Sequence, residues 1–524
     1  MKTGRGTGRG VEHVEVLVVG AGLSGIGAGY HLQRYCPSKS YAIFEGRDVI
    51  GGTWDLFRYP GIRSDSDMYT LGYSFHPWRN AKSIADGGSI LDYIRETARE
   101  YGIDSKIRFN HRVRRASWSS ADSQWHVEAD TQDGPVELTC GFIYLCTGYY
   151  DYESGYTPEW KGTERFAGPV IHPQKWPEDL DYTGKRVIVI GSGATAVTLV
   201  PAMAGTAAHV TMLQRSPTYI TSLPSSDRIA DSLRRFLPSR VAYGITRWKN
   251  VALSMFFYHL ARRKPGFFKR MLLKGARHRL GPDYDYTHLT PAYDPWDQRL
   301  CLIPDADLFK AMKSGKASIV TDQIATFTET GLELTSGHKL DADIIVTATG
   351  LNMKLMSGLE LIVDRTPIAI AGTMSYKGMM YSDIPNLASA LGYTNASWTL
   401  KVDLTAAYLC RVLNHMDRHG YSQCTPRLRD SSIRREPAIT FTSGYVKRAL
   451  PSLPSQGSKK PWKLNQNYVL DMMSLKFSRI EDGTLEFSRG RNSRVGRPVS
   501  PLQLQFPDPE SAYAPGITGT NFHS

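Results

Sequence analysis

The hydrophobic residues near the start of the chain form two short runs separated by a helix-like stretch. Residues 14–19 are mostly apolar, a glycine-rich turn and a periodic apolar stretch follow, and a second apolar run covers 41–45. The same order of features returns at 185–215. A short apolar run, a glycine turn and one helix are typical of the βαβ units that bind nucleotides. The pattern therefore predicts an α/β fold with two Rossmann-like dinucleotide-binding domains.

A long segment between the second unit and the next strand-like runs has a different pattern. Residues 226–296 carry apolar and basic side chains at helical spacing and are interrupted by Pro238, Pro265 and Pro282. Because proline ends or breaks helices, we expect a basic helical insertion of several helices here. Strand-like runs return at 317–321 and again from 341, with a hairpin expected between them.

The domain boundaries follow from these changes of pattern. With 524 residues, the chain is long enough for more than one hydrophobic core. We expect the first nucleotide domain to comprise 13–150 and 376–494, and the second to comprise 151–225 and 297–375. A flexible arm at 1–12 and a mobile tail at 495–524, which is rich in Pro, Gly and Ser, are expected at the two ends.

The first glycine turn contains Gly20, Gly22 and Gly25 in the spacing G-x-G-x-x-G, directly after a strand-like run. The first glycine permits a tight turn, the second lets a pyrophosphate approach the backbone, and the third lets the helix pack on the strand. Glu45 ends the next strand-like run. A carboxylate there accepts hydrogen bonds from a ribose diol and repels a 2′-phosphate, so this half is predicted to bind FAD or NAD.

The second glycine turn contains Gly191, Gly193 and Ala196, and its following strand leads into Arg215 and Ser216. An arginine and a hydroxyl at this place suit the 2′-phosphate of NADPH, although a surface arginine at a strand end is the alternative. FAD in the first unit and NADPH in the second imply hydride transfer from nicotinamide to flavin. The six cysteines form neither the C-x-x-C nor the C-x4-C pair of disulfide reductases, so oxygen is the leading acceptor.

Composition and charge narrow the choice further. The widely spaced cysteines predict no metal site, no disulfide framework and a reducing, cytoplasmic location. The net charge is +13, and 228–279 alone contains 14 Lys or Arg against one acid, Asp231. This segment is either a solvated helical face or a basic amphipathic surface that contacts anionic lipid, at the inner face of a membrane, or captures an anionic cofactor. No nucleic-acid motif accompanies it, so no nucleic-acid partner is expected. The sequence gives no indication of oligomeric state.

Two longer motifs carry a family resemblance. The stretch FAGPVIHPQKWP places Phe166, Gly168, His172, Trp176 and Pro177 in the pattern F-x-G-x3-H-x3-W-P. The stretch GGTWDLFRYPGIRSD, at 51–65, matches [AG]-G-x-W-x4-[FY]-P-[GM]-x3-D. With both patterns complete, the chain resembles the type I Baeyer–Villiger monooxygenases of the class B flavoprotein monooxygenases. The resemblance extends from about 14 to about 487 and departs in the two ends and in the insertion.

The resemblance implies a set of site residues. Arg299 is implied as the catalytic cation that holds negative charge during oxygen transfer, with Asp65 as its partner. The positions implied for FAD are Gly20, Gly22, Ser24, Gly25, Glu45, Thr53, Trp54, Asp55, Leu56, Asp65 and Val113. The positions implied for NADP are Arg63, Ser64, Gly191, Ser192, Gly193, Ala194, Thr195, Ala196, Val197, Thr198, Arg215 and Ser216. His172 and its motif are interpreted as a domain-coupling segment rather than as a catalytic base.

The function that the resemblance implies is oxygen insertion next to a ketone carbonyl. NADPH, O2 and FAD would act together through a C4a-peroxyflavin to give an ester or lactone, with sulfoxidation as a side activity. Oxygenation of sulfur or nitrogen by a flavin-containing monooxygenase is the alternative. A non-catalytic protein that binds a membrane or nucleic acid is the alternative of a different class. We expect a small hydrophobic ketone or thioether as substrate, in a pocket built from 226–296 and 375–400.

Overall fold

Two separate sheets form where the sequence repeats strand, glycine turn and helix; the first is mixed and the second is parallel throughout. The computed structural model describes residues 11–490. Most of the predicted N-terminal arm and all of the predicted C-terminal tail lie outside these residues.

The strands of the first half of the chain, in order, are β1 (Glu12–Val19), β2 (Tyr41–Phe44), β3 (Ile107–Arg108), β4 (Arg112–Ser119), β5 (Gln124–Thr131), β6 (Gly134–Leu145), β7 (Tyr150–Gly155), β8 (Val170–Ile171), β9 (Arg186–Ile190), β10 (His209–Gln214) and β11 (Ile220–Leu223). Those that follow are β12 (Cys301–Pro304), β13 (Ala317–Thr321), β14 (Ile324–Thr328), β15 (Gly331–Leu334), β16 (Lys339–Asp341), β17 (Ile344–Thr347), β18 (Leu351–Met353), β19 (Glu360–Val363), β20 (Thr366–Ile368), β21 (Ser375–Tyr376), β22 (Met380–Tyr381), β23 (Leu387–Ser389), β24 (Gln423–Pro426), β25 (Arg435–Pro437), β26 (Ser455–Gly457) and β27 (Leu485–Ser488).

The helices are α1 (Leu23–Tyr35), α2 (Thr53–Leu56), α3 (Met68–Leu71), α4 (Gly87–Glu100), α5 (Ala194–Ala204), α6 (Arg228–Phe236), α7 (Ser239–Arg263), α8 (Pro265–Leu280), α9 (Asp307–Lys313), α10 (Trp398–His419), α11 (Gly444–Ala449) and α12 (Tyr468–Met472). A π-helical turn, Met473–Phe477, continues α12.

The first sheet has nine strands in the order β20-β19-β4-β5-β6-β1-β2-β3, with β23 also pairing with β6. β1 lies between β6 and β2 and runs parallel to both. Val16 and Val18 face a core shared with α1 and α10, whereas Leu17 faces a second core on the other side of the sheet. Because both faces of β1 are buried from Val16 to Val19, that stretch is apolar throughout, as buried parallel strands in α/β proteins are.

The second sheet has five strands in the order β13-β10-β9-β17-β8. α5 and α9 pack together over one face of it. The small antiparallel sheet β14-β15-β16 covers the other face, where Phe327 and Leu332 pack against Ile188. The two sheets therefore form two nucleotide-binding domains, as predicted, and the expected hairpin between 321 and 341 is present.

The structure corrects one predicted domain boundary. We expected 297–375 to belong to the second domain, but β19 pairs with β4 of the first sheet, with Glu360 opposite Arg115. β18 pairs with β7 in a two-stranded ribbon between the sheets, and the chain therefore re-enters the first sheet by Glu360. The predicted arm at 1–12 is also one residue too long, because Glu12 belongs to β1 and forms an ion pair with Arg108.

The basic insertion consists of α6, α7 and α8. Pro238 caps the start of α7, and α8 begins at Pro265, where the missing N–H of proline costs no helical hydrogen bond. The insertion is fixed to the first domain by Arg247, a buried residue of α7 whose guanidinium donates to the carbonyl oxygens of Tyr69 and Gly72, each at 2.7 Å. Within residues 11–490, no helix combines the length and the apolar character that a membrane span requires.

Candidate active site

The first glycine turn lies at the mouth of a cavity of about 370 Å³ formed at the carboxyl ends of β1, β2 and β6. Gly20 has φ +105°, and a Cβ on it would lie 2.6 Å from the carbonyl oxygen of Cys146. A Cβ on Gly25 would lie 1.8 Å from the carbonyl oxygen of Gly20, so α1 packs on β1 only because this residue is glycine. Gly22 also faces the turn at Gly51 and Gly52, because a Cβ on Gly52 would lie 3.1 Å from the Gly22 Cα.

The polar groups of this cavity fit a dinucleotide such as FAD. Gly22 caps α1 without a side-chain hydrogen bond, so the positive end of a 13-residue helix is left for an anion such as pyrophosphate. The Glu45 carboxylate accepts from the backbone N–H groups of Ala21 at 2.7 Å and Arg47 at 3.0 Å, and it lines the cavity. Burial raises the pKa of Glu45, and these backbone donors oppose the shift. The carboxylate is thereby fixed at the end of β2, where a ribose diol would bind it.

The second glycine turn presents a similar helix terminus to the protein surface. Gly191 has φ +141°, and a Cβ on it would lie 2.3 Å from the carbonyl oxygen of Ala348. Gly193 is exposed and caps α5 without a side-chain hydrogen bond. The Ser192 hydroxyl donates to the carbonyl oxygen of Ser216 at 3.2 Å, which ties the turn to the end of β10. Arg215 beside it is exposed and has no acidic partner among residues 11–490, so this donor set fits the 2′-phosphate of NADPH.

Arg299 and Asp65 meet in the first cavity although they lie far apart in the chain. The Nη2 of Arg299 is 2.8 Å from Oδ2 of Asp65. Both side chains line the cavity, and the Arg299 side chain is 38% exposed toward it. The charge of Asp65 raises the pKa of Arg299 above its ordinary value. Arg299 is therefore a permanent cation on the cavity wall.

The insertion supports the segment that carries Arg299. Trp296 adopts φ +71°, an uncommon conformation for a non-glycine residue, and packs with Leu300 against Phe268 of α8. Arg262, in the last turn of α7, pairs with Asp297 at 2.7 Å. The helices therefore hold the turn just before Arg299 from two sides.

A second cavity, of about 120 Å³, adjoins the first. Tyr149, Arg299, Tyr393 and Trp398 line both cavities. The second cavity is otherwise mostly apolar, with walls from the 375–401 region and from the C-terminal segment that includes Phe441 and Leu464. The expectation for 375–400 is thus met, but the expectation for 226–296 is wrong, because no residue of the insertion lines either cavity.

The fingerprint histidine lies at the junction of the two domains rather than in a cavity. Its Nε2 donates to the carbonyl oxygen of Gly350 at 3.1 Å, and its Nδ1 accepts from the backbone N–H of Gln174 at 3.2 Å. This arrangement requires the neutral ring with hydrogen on Nε2. Burial lowers the pKa of His172. A Cβ on Gly155 of β7 would lie 1.9 Å from the imidazole, so the ring fits only against glycine.

The other fingerprint residues have structural contacts. Phe166 packs in the core under β14-β15-β16, and Trp176 packs against the core around α5. A Cβ on Gly168 would lie 2.3 Å from the carbonyl oxygen of Asp343, which explains the glycine. Pro177 follows Trp176 outside both cavities. The motif therefore forms the edge of the second domain that faces the β7-β18 ribbon.

Comparison with known proteins agrees with this geometry. Residues 14–258 match the family model described as flavin-binding monooxygenase-like. The FAD-containing monooxygenase EthA of Mycolicibacterium smegmatis is 52% identical over 92% of this chain and 98% of its own length. EthA of Mycobacterium tuberculosis is 53% identical over 93% of this chain and 99% of its own length.

The chain belongs to the flavin-binding monooxygenase-like family. A probable FAD-binding monooxygenase of Acinetobacter baylyi, AlmA, is also 48% identical over 94% of this chain and 99% of its own length. Two more distant structures share the fold. Oxidized steroid monooxygenase bound to NADP has a TM-score of 0.71 and 22% identity over 91% of this chain and 100% of that chain. Cyclohexanone monooxygenase bound to ε-caprolactone has a TM-score of 0.72 and 18% identity, also over 91% of this chain and 100% of that chain. The predicted family and fold class are confirmed.

The structure of this chain brings most of the predicted FAD residues together. Those that line the first cavity are Gly20, Gly22, Ser24, Glu45, Thr53, Trp54, Asp65 and Val113. Gly25, Asp55 and Leu56 do not line it, which departs from the expectation, since Gly25 serves the packing of α1 on β1 instead. The Asp55 carboxylate is buried against Arg47 at 2.6 Å, and Leu56 packs on the core of the second domain.

The predicted NADP residues divide into three groups. Ser192, Gly193, Ala194 and Thr195 form the exposed or half-exposed glycine turn beside Arg215 and Ser216. Ala196, Val197 and Thr198 are buried, and the first two pack in the core of the second domain. Arg63 pairs with Asp307 at 2.6 Å and donates to the carbonyl oxygen of Val197 in α5 at 3.5 Å, whereas Ser64 is buried and lines the first cavity.

Sequence reasoning missed several cavity residues. Arg47, Tyr149, Tyr150 and Tyr445 line one cavity or both, whereas Tyr393 and Trp398 lie in the predicted 375–400 region. The aromatic run 149–152 follows directly after the turn at Gly148, where the strand β6 ends. Polar and aromatic residues after the carboxyl end of a parallel strand are typical of ligand sites, and this signal pointed to Tyr149 and Tyr150.

Proposed function

We propose that this protein is an FAD- and NADPH-dependent monooxygenase that inserts one oxygen atom of O2 next to a ketone carbonyl, giving an ester or lactone. The observation that carries the proposal is the position of Arg299 on the common wall of the two cavities, paired with Asp65 at 2.8 Å. The first cavity suits a dinucleotide, and the second is a smaller, mostly apolar space for a substrate.

The cofactor residues are assigned from the donor sets of the two glycine turns. Gly20, Gly22 and the α1 terminus would hold the FAD pyrophosphate, and Glu45 would hold the ribose. Gly191, Gly193 and Arg215 would hold the phosphates of NADPH. When bound, NADPH supplies the hydride and FAD supplies the redox and oxygen-transfer chemistry.

Arg299 would stabilise negative charge that develops on oxygen during transfer. A guanidinium stays protonated at any working pH, and the Asp65 carboxylate restricts its orientation. Since both cavities contain Arg299, one cation can act on the bound dinucleotide and on the substrate carbonyl. Trp398 donates from Nε1 to the Ser24 hydroxyl at 2.8 Å and lies on the same wall, where its ring excludes water.

The decisive experiment compares the R299A variant with wild type in an assay of NADPH consumption and ester formation. We expect R299A to oxidise NADPH but to lose nearly all ester. R427A is a matched control, because Arg427 pairs with Asp383 at the same distance of 2.8 Å outside both cavities. Ester formation by R299A at the wild-type rate would contradict the proposal. A thioether is the second test substrate, and sulfoxide without any ester from ketones would assign the protein to heteroatom oxygenation instead.

We propose further that the insertion contacts an anionic membrane surface. Val241, Ile245, Trp248 and Phe256 of α7 recur at helical spacing and are each 46–59% exposed, which gives one exposed apolar stripe. Trp248 contacts Tyr468 of α12 at 5.7 Å between ring centroids.

Further exposed apolar residues and basic residues are found from α12 onward and in the insertion. In the segment that begins at α12, Leu470, Met473 and Phe477 are also exposed. Of the 14 cations of residues 228–279, Arg247 is buried and three others form ion pairs (Arg234, Lys249 and Arg262). The remaining ten form no ion pair within residues 11–490, so their charge is complementary to anionic lipid.

Vesicle sedimentation tests this contact with the purified protein. We expect binding to vesicles that contain phosphatidylglycerol, weaker binding to phosphatidylcholine alone, and release by salt. The W248S/F256S variant should lose most of the binding, whereas L223S, which changes an exposed leucine of β11, should retain it. Equal binding by the two variants, or light scattering that shows a dimer buried through this stripe, would contradict the proposal.

A further inference from the structure

A buried ion pair lies in the wall of the second cavity, away from Arg299 in the chain. Nζ of Lys401, in the first turn of α10, is 2.7 Å from Oδ2 of Asp471, in α12. Each side chain is only 7% exposed, and both line the cavity. Burial lowers the pKa of Lys401, and the charge of Asp471 opposes this shift. The proposed reaction has no role for either group.

The two partners differ in how completely their hydrogen bonds are used. Asp471 also accepts from the Tyr393 hydroxyl at 2.8 Å and from Nδ2 of Asn465 at 2.9 Å. The Lys401 ammonium has three N–H donors, and besides Asp471 its only hydrogen-bond acceptor among residues 11–490 is the Lys377 carbonyl oxygen, at a long 3.4 Å. One N–H of a buried cation is therefore left over in a residue that lines the cavity.

Several other polar side chains of this cavity are already hydrogen-bonded within the protein, among them Tyr393 and Asn465 to Asp471 and Thr394 to Gln466. The apolar walls of the cavity come from residues that include Met353, Leu355, Ile439, Phe441 and Leu453. A hydrocarbon that fills the space displaces water from Lys401 and supplies no acceptor in its place. A ligand with an oxygen at that position keeps the hydrogen bond, and an unpaired buried donor of this kind weakens binding about 5- to 100-fold.

We propose that Lys401 is a specificity-determining residue that binds a second acceptor oxygen of the substrate. The pocket thereby selects ketones that carry another carbonyl or hydroxyl group remote from the reacting carbonyl, over plain ketones of the same length. Asp471, with Tyr393 and Asn465, positions the ammonium group. The inference rests on the proposed function for the reaction, but the binding preference that it names can be measured without turnover.

A second buried lysine in the same region provides the control. Lys377 pairs with Asp482 at 3.1 Å and also donates to the hydroxyl groups of Tyr408 at 3.2 Å and Ser478 at 3.1 Å. Its three N–H donors are therefore all satisfied, and it lines neither cavity. Replacing Lys377 and Asp482 removes an ion pair that also contains a buried lysine, without changing the cavity wall.

The experiment compares 2-octanone with 2,7-octanedione in the wild type, K401M/D471N and K377M/D482N. The double variants remove both charges of each pair, since loss of one partner alone would leave an uncompensated buried charge. We expect the wild type to have a 5- to 100-fold higher kcat/KM for the dione. K401M/D471N should reduce this ratio to about 2, mainly through KM for the dione, while its turnover of 2-octanone continues. K377M/D482N should keep the wild-type ratio.

Ketone binding is measured in parallel from the change in tryptophan fluorescence, because Trp398 lines the cavity. Tighter binding of the dione by the wild type, lost in K401M/D471N, supports the inference even if neither ketone is oxidised, in which case only the proposed reaction fails. Equal binding of the two ketones by the wild type would overturn the inference. A preference that K401M/D471N retains would overturn it as well.

Discussion

The ion pair between Asp65 and Arg299 allows a quantitative prediction for the D65N variant. The substitution keeps the size of the side chain and its hydrogen-bond acceptor but removes the charge that orients Arg299 at 2.8 Å. Hydrogen bonds between charged groups contribute about 1.5–3 kcal/mol. Since Asp65 and Arg299 are 33% and 38% exposed, we take a reduced effect of about 1–2 kcal/mol after screening by water. We therefore expect D65N to form ester about 5- to 30-fold more slowly than the wild type.

The assay measures NADPH consumption, ester and hydrogen peroxide in the same reaction. We expect NADPH consumption to continue in D65N while the ratio of ester to NADPH falls, because Arg299 remains in place but is less restricted. D383N is the control, since Asp383 pairs with Arg427 at 2.8 Å outside the cavities. Ester yield per NADPH in D65N within twofold of the wild type would refute the reasoning that Asp65 positions Arg299.

Three further predictions concern the cofactor turns and the fingerprint. R215A should raise KM for NADPH about tenfold and leave KM for NADH nearly unchanged, and equal effects on both would remove the assigned phosphate contact. G22V places a side chain toward Gly52, since a Cβ on residue 22 would lie 3.5 Å from the Gly52 Cα. The purified variant should therefore lose its flavin absorption while its circular dichroism is retained. Burial lowers the pKa of His172 from its ordinary 6.5, so the folded protein binds a proton on this ring less readily than the unfolded chain does. The neutral ring therefore contributes its full stability above pH 6.5, and this contribution is lost as the pH falls below 6.5. The Tm difference between the wild type and H172Q should therefore shrink between pH 7.5 and 5.5, and a constant difference would contradict this role.

The features that the sequence predicted well are local in the chain. The glycine spacing around Gly22 and Gly193 determines a turn, and the apolar runs beside each turn determine a strand buried on both faces. Pro238 and Pro265 likewise mark the ends of insertion helices. Each of these signals acts within a few residues, so no tertiary information was needed.

The second cavity could not be predicted in the same way. Its walls come from 353–355, 375–401 and 438–471, which include short loops without hydrophobic periodicity. Lys401 and Asp471 meet there only because α12 packs on α10. The aromatic and basic insertion at 226–296 was predicted to line the pocket instead, since apolar composition alone does not distinguish a pocket wall from a surface stripe.

Both the wrongly predicted domain boundary near Glu360 and the contacts of His172 involve the β7-β18 ribbon. The chain leaves the first sheet through β7 and returns to it from β18, and Gly350 lies between the second sheet and β18. His172 donates to the Gly350 carbonyl oxygen and is packed against Gly155 of β7, so one ring contacts β7 and the residue that precedes β18. A proton on Nδ1 would remove the acceptor for Gln174 and would therefore loosen this contact without touching either glycine turn. Loss of coupling between NADPH use and product at acid pH, with flavin still bound, is consequently the signature that separates a domain-coupling histidine from a catalytic base.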